Sequence, residues 1–259
     1  MTLPAKLSRS LRDRAVLVTG AAGGMGEATA RVFADEGARV AIADVQAERL
    51  EAVAESIRAN GGRAQAFPFD VADPGQVRAG VAAAAAHWGG LDILVSNAGI
   101  SIHNPIDDDG YEERWERALA VMLGAQPRLL RAALPWLRKS DAARVVLVAS
   151  TEALGATAGH SAYSAAKAGI VGFTRSMAVE LGPEGITVNC ICPGPIDTPM
   201  TARIPAEHKA IFAKRRTALR RYGRSDEVAH VTVSLCLPAA SYITGAVIPV
   251  DGGLMARNA

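Results

Sequence analysis

Apolar residues along this chain follow two alternating rhythms. Short, almost uninterrupted apolar runs occur at Ala15–Thr19, Arg39–Asp44, Ala64–Phe69, Leu91–Val95, Arg144–Ala149, Ile186–Ile191 and Ala246–Val250. Between them lie stretches whose apolar positions recur at helical spacing: Glu27–Glu36, Ala47–Ala59, Pro74–Trp88, Glu112–Leu137, Tyr163–Leu181 and Asp226–Leu237. Strands that are apolar throughout are buried on both faces, so the alternation predicts an α/β fold with a parallel sheet covered by helices on either side. No internal repeat or linker interrupts it. One such sheet commonly reaches this length of 259 residues, so positions 1–259 are read as a single domain.

The first strand runs into Thr19-Gly20-Ala-Ala-Gly23-Gly24-Met25-Gly26 and then into a helix. A strand, a glycine turn and a helix make the first half of a nucleotide-binding βαβ unit. The turn is tight, the backbone must approach a pyrophosphate, and the helix N-terminus offers free N–H groups to an anion. The spacing is not the three-glycine GxGxxG fingerprint, and a glycine turn alone is a weak signal. The second strand ends in Asp44, eighteen positions after Gly26, where a carboxylate can accept hydrogen bonds from ribose hydroxyls.

A second constellation is Tyr163-Ser-Ala-Ala-Lys167, with Ser150 thirteen residues upstream of the tyrosine. On a helix, Tyr163 and Lys167 share a face. A phenol titrates near pH ~10 in isolation and needs a nearby cation before it can shuttle protons at neutral pH. Lys167 is placed to be that cation.

These motifs resemble the short-chain dehydrogenase/reductase family, and the resemblance runs through nearly the whole chain. Gly20, Gly24, Met25 and Gly26 resemble its cofactor turn; Ser96-Asn97-Ala98-Gly99 its NNAG element with the first Asn replaced by Ser; and Ser150, Tyr163 and Lys167 its catalytic set. Pro193-Gly194-Pro-Ile196-Asp-Thr198-Pro-Met200 is similar to the segment beside the nicotinamide, and Asp251-Gly252-Gly253 to a C-terminal signature. The resemblance implies a Rossmann-type, doubly wound, seven-stranded parallel sheet in three αβα layers, with residues 196–222 inserted as a substrate lid. It implies that an alcohol and a ketone are interconverted with a nicotinamide cofactor. Tyr163 would be the acid or base, Ser150 a donor to the substrate oxygen, and Lys167 the group that lowers the phenol pKa and holds the ribose; no metal is required. Asp70 and Val71 resemble the adenine contacts, while Asn97, Ala98 and Gly99 would pass near the adenosine ribose. Asp44 would repel a 2′-phosphate and Gly23 offers nothing to pair with one, so NAD is expected over NADP. Family members are commonly homotetramers, and Ala165, Ala166 and Gly169 would permit close helix pairing.

One position departs from the pattern. Where the family places an Asn on the long helix, this chain has Met122, whose thioether cannot take the Asn role. Pro127, five residues on, would bend the helix and free the Leu123 carbonyl. The expectation is a break near Met122 and Leu123, with a free carbonyl directed at Lys167. The alternatives are a slower enzyme, or a noncatalytic NAD-binding protein of the same fold.

Substrate identity is less legible. Pocket positions are expected at Ser101–Asn104, Thr151–Leu154, Ala156–His160 and Met200–Tyr222. Glu152 and His103 are polar enough to recognise a hydroxyl or amine, with a solvent-facing position as the default. The insertion carries Arg203, Lys209, Lys214, Arg215, Arg216, Arg220, Arg221 and Arg224 against Glu207, a charge that would suit an anionic substrate or acyl carrier, or simply a solvated lid. Against a 3-oxoacyl-carrier-protein reductase, Glu184 stands where such relatives place a basic residue. Cyclic alcohols, hydroxysteroids, sugar alcohols and aryl carbinols are the candidate substrates.

With 28 Lys+Arg against 26 Asp+Glu, net charge gives no push toward nucleic acid or an anionic membrane. Met1–Leu11 has no apolar signal region and no stretch is long enough to span a bilayer, so a cytoplasmic location is expected. Cys190 and Cys192 would sit roughly 6.5 to 7 Å apart on a strand, at the limit for a disulfide, so Cys190, Cys192 and Cys236 are read as free thiols.

Overall fold

The structure is a computed structural model that describes residues 8–257; Met1–Leu7, part of the segment read above for a signal sequence, lie outside the described residues. Strands β1 (Ala15–Thr19), β2 (Arg39–Ala43) and β3 (Arg63–Ala66) alternate with helices α1 (Gly24–Asp35), α2 (Ala47–Ala59) and α3 (Pro74–Trp88). The chain continues through β4 (Ile93–Ser96), α4 (Tyr111–Ala118), α5 (Ala125–Leu137), β5 (Arg144–Val148), α6 (Ser161–Leu181) and β6 (Thr187–Pro193). It ends with a short pair, β7 (Ile196–Asp197) and β8 (Gly223–Arg224), the intervening α7 (Ala206–Arg216), then α8 (Ser225–Cys236) and β9 (Val247–Val250).

The central sheet has seven parallel strands in the order β3-β2-β1-β4-β5-β6-β9. Alternate residues of one strand feed two separate cores. Leu17 packs with Val77, Leu129 and Ile170 of α3, α5 and α6, whereas Val16 and Val18 pack with Phe33, Leu50 and Val228 of α1, α2 and α8. This is the three-layer, doubly wound arrangement that the alternating pattern predicts. The chain starts in the middle of the sheet, winds outward to β3 and then crosses back to β4. Between the carboxyl ends of β1 and β4 lies the crevice where such folds bind ligands.

The predicted single helix over Glu112–Leu137 is not continuous. Leu119–Leu123 forms a π-helical turn between α4 and α5, in which the Gly124 N–H reaches back to the Leu119 carbonyl at 2.7 Å. Pro127 supplies no N–H to the Leu123 carbonyl. Two side chains take over carbonyls at the bulge: Arg128 donates to Ala120 O at 3.0 Å, and the Gln126 amide to Met122 O at 2.7 Å. The expected break is therefore present, spread over one bulged turn.

Candidate functional site

The glycine turn owes its shape to close approaches. Gly20 has φ 67° and Gly24 φ 58°, both in the left-handed region. A Cβ at Gly20 would come within 2.7 Å of the Ala98 Cα, and one at Gly26 would run into the Gly20 carbonyl oxygen. Gly26 thus allows α1 to start against the turn, while Gly23, the N-cap, has no side chain to cap the first N–H groups of α1. Those donors are left for an anion. Asn97 braces the turn from β4, its amide donating to Thr19 O at 3.0 Å and Gly20 O at 3.2 Å, while the Thr19 hydroxyl accepts from the Asn97 and Ala98 backbones.

Across the crevice, β5 delivers Ser150 and α6 delivers Tyr163 and Lys167. The Lys167 ammonium is buried, donates to the Val148 carbonyl at 2.8 Å and lies 5.6 Å from the Tyr163 ring centroid. Burial pushes it down to about 8, with the nearby Cys190 and Cys192 thiols acting in the opposite direction. Burial also pushes the Tyr163 phenol upward; a hydrogen bond from Ser150 lowers it, and the charge of Glu152 raises it. Both ionisable groups are therefore held away from their charged forms by the protein alone, and each would be helped to ionise by the opposite charge of the other.

One cavity of about 230 Å³ joins these two regions. Gly20, Gly24, Met25 and Asp44 line one end, Tyr163 and Lys167 the other, with Asn97, Gly99 and Thr198 between. Thr198 caps the short turn Pro199–Thr201, and its side chain lies 3.5 Å from where a Gly24 Cβ would stand, so this segment closes over the glycine turn. A turn of open N–H groups, a carboxylate at the end of β2, and a buried phenol–ammonium pair fit a nicotinamide dinucleotide.

Other residues singled out in the sequence lie around this cavity without lining it. Asp70 accepts from the Ala72 N–H at 2.8 Å, and Val71 is buried in the core. Gly194 makes room for Asp251, whose Cα would stand 2.7 Å from a Cβ there; Pro193 pairs with Val250, and Ile196 is buried. Asp251 itself accepts from the Gly253 and Met255 N–H groups and holds a turn. Lys167 reaches the Val148 carbonyl, and the Met122 carbonyl is taken by Gln126; the bulge puts no described hydrogen bond on the lysine.

One further expectation is corrected, and the structure adds detail to two others. Glu152 is not directed to solvent: its carboxylate accepts from the Thr157 N–H, the Thr157 hydroxyl and the Ser164 hydroxyl. The basic insertion is partly neutralised by acids outside its helix, since Lys209 pairs with Asp197, Arg221 with Glu227, and Arg224 with Asp226. Of the small residues expected to face a partner helix, Ala166 is buried in its own chain and Gly169 sits under Leu123.

The sequence reading also missed Arg49. Its guanidinium, carried by α2, lies 3.1 Å from where a Gly23 Cβ would be, and it lines the cavity beside Asp44. Only the fold brings a residue of α2 over a glycine of the preceding turn.

A family model described as Enoyl-(Acyl carrier protein) reductase matches residues 20–255. The chain is 39% identical over 250 residues to the cis-4-hydroxycyclohexanecarboxylate dehydrogenase of Sinomonas cyclohexanicum, covering 96% of this chain and 100% of that protein. It is 34% identical over 245 residues to a 3-oxoacyl-[acyl-carrier-protein] reductase of Thermotoga maritima, covering 95% and 99%. A short-chain dehydrogenase from Burkholderia cenocepacia, solved in complex with NADP, superposes with a TM-score of 0.89 at 38% identity, covering 95% of this chain and all of that one. The chain belongs to the short-chain dehydrogenase/reductase family and is an oxidoreductase of the secondary alcohol/ketone type.

Proposed function

We propose that this protein is an NAD-dependent dehydrogenase that oxidises a compact cyclic secondary alcohol, with Ser150, Tyr163 and Lys167 as its catalytic residues. The observation that carries the reading is the continuous cavity with Asp44 and the glycine turn at one end and Tyr163 and Lys167 at the other. A nicotinamide bound there would supply the hydride acceptor or donor. Tyr163 takes the proton of the substrate hydroxyl, Ser150 hydrogen-bonds to the substrate oxygen, and the Lys167 charge stabilises the phenolate as it forms.

Asp44 supports NAD as the preferred cofactor, because its carboxylate opposes a 2′-phosphate. Both of its oxygens accept backbone N–H groups, from Ala22 at 3.2 Å and Gln46 at 3.0 Å, so the carboxylate is held in place. The Arg49 guanidinium beside it moderates that opposition, and the resemblance to an NADP-bound structure fits a preference rather than an exclusion. An alicyclic substrate is supported by the name of the cyclohexanecarboxylate relative and by apolar Ile100 and Met200 along the cavity. The proposal includes a cytoplasmic location and a homotetramer; exposed Val179, Tyr242 and Ile243 are apolar surface that an assembly would cover.

The test is a screen of cyclohexanols, hydroxysteroids, sugar alcohols and aryl carbinols with NAD and with NADP, followed at the absorbance of the reduced cofactor. Turnover of cyclic alcohols with NAD is expected. Reduction of 3-oxoacyl thioesters in preference to all alcohols would favour the carrier-protein reductase reading instead.

A further inference from the structure

The segment between Ser150 and Tyr163 carries both catalytic hydroxyls at its ends, yet before α6 begins at Ser161 it has only one short 3-10 turn, Thr151–Ala153, and a single bridge from His160 to Asn104. The spacing of the two hydroxyls depends on how this segment is held. Glu152 holds it from inside. Its Oε2 accepts from the Thr157 N–H at 2.8 Å and the Ser164 hydroxyl at 3.1 Å, and its Oε1 accepts from the Thr157 hydroxyl at 2.7 Å. Its own N–H donates to the Ser150 Oγ at 3.1 Å. One residue thus touches the catalytic serine, the middle of the segment, and the neighbour of the catalytic tyrosine.

The first turn of α6 has a matching need. Its N-cap, His160, makes no side-chain capping bond, and no acidic residue lies in that turn. A carboxylate docked there through Ser164 complements the positive end of the helix dipole. Beyond Glu152 the segment presents exposed Leu154, and Gly155 lies against Met255.

We propose that Glu152 is a positioning residue of the reaction: it locks the Ser150–Tyr163 segment onto the first turn of α6, so that the two catalytic hydroxyls keep their spacing. The proposal rests on the catalytic assignment above. It has a second consequence through charge. The groups that face the phenol are Lys167, one turn on along α6, and Glu152; Cys190 and Cys192 of β6 stand behind Lys167, and the His103 and His160 rings pack together where the segment ends. Burial is the larger influence on the phenol, and the Glu152 charge adds to it by opposing a second negative charge.

Two variants separate shape from charge. In Glu152→Gln the amide oxygen can still accept from Thr157 N–H and Ser164, while the amide NH2 can donate to the Thr157 hydroxyl, so the clamp survives without its charge. Glu152→Ala loses both. Hydrogen exchange of the whole protein without substrate reads the clamp directly. Amides of residues 151–160 in the Ala variant should exchange about tenfold faster or more, and those in the Gln variant should stay near wild type. With cyclohexanol and NAD, the Ala variant should show a raised KM. In the Gln variant the acid limb of the oxidation profile should move to lower pH, because a phenol freed from a neighbouring negative charge ionises more readily. Wild-type exchange in the Ala variant, equal loss of protection in both variants, or an acid limb that stays fixed or moves upward would each overturn the proposal. The exchange arm needs no turnover, so a wild-type protein inactive on every alcohol would count against the proposed function and leave the clamp to be judged on exchange.

Discussion

The Lys167 ammonium donates to the carbonyl of Val148, two residues before Ser150, at 2.8 Å. This bond ties α6 to the end of β5 and holds the lysine against the face of the Tyr163 ring. It also uses one of the three ammonium donors; under the proposed mechanism the other two would serve a ribose and a relay.

The lysine should be a stability cost that function requires. Burial lowers it to about 8 from an ordinary 10.5. At pH 7 both folded and unfolded chains are protonated, and the folded one carries the charge in an apolar setting. Between about 8 and 10.5 the unfolded chain binds more protons, so this group's contribution to stability rises with pH across that window. Lys167→Met should therefore have a Tm at pH 7 at or above wild type, an advantage that shrinks as pH rises through that window, and turnover reduced by roughly tenfold or more. A mutant clearly less stable at pH 7 would show that the Val148 bond outweighs the buried charge.

Cofactor preference should be divided between Asp44 and Arg49. Asp44→Ala is expected to weaken NAD binding and narrow the gap to NADP. Arg49→Ala should widen that gap by roughly tenfold, the scale of one charge-assisted hydrogen bond, with NAD little changed. Fluorescence titration with NADH and NADPH checks both. An enzyme that prefers NADP before any substitution would reverse the assignment of Asp44.

Much of this architecture was legible in the sequence because parallel strands buried on both faces are apolar throughout, and because glycines and strand-end acids mark the crevice. The same local signals could not show what a residue meets across the fold. Glu152 reads as a surface acid until Thr157 and Ser164 are seen to turn toward it, and Arg49 reads as an ordinary helix residue until α2 is packed beside the turn. The basic insertion looked strongly charged because one partner, Glu227, lies just beyond it, and Asp197, which pairs with Lys209, stands at its start, away from the run of bases. At Met122 the sequence showed that a helix should break, through Pro127, but not that Arg128 and Gln126 would satisfy carbonyls at the bulge.

That satisfaction makes a prediction about the bulge. Pro127→Ala restores an N–H, yet Arg128 and Gln126 still hold the π-turn, so turnover should change by less than about threefold. Arg128→Ala strands the Ala120 carbonyl and should cost on the order of 1 kcal/mol in stability. Chemical denaturation together with steady-state kinetics compares the two. A large loss of turnover in Pro127→Ala would return the proline to the centre of the proton path.

The glycine turn should tolerate no side chain where α1 starts. Gly26→Ala places a methyl group against the Gly20 carbonyl and close to the Asn97 amide. Overpacking of this kind costs roughly 1–3 kcal/mol, and here it displaces the proposed cofactor turn as well. Thermal melting should show the loss, and NADH affinity should fall beyond what the melt alone explains. Unaltered NADH affinity would mean that the turn does not hold the cofactor.

The most direct measurement compares Tyr163→Phe with the wild-type protein on a cyclic secondary alcohol. The substitution removes the proton carrier and keeps the ring. Turnover should fall by about 10²-fold or more, while NADH affinity by fluorescence stays within a few-fold. Comparable turnover in the mutant would contradict the assignment of Tyr163 as the acid–base residue, and with it the proposed mechanism.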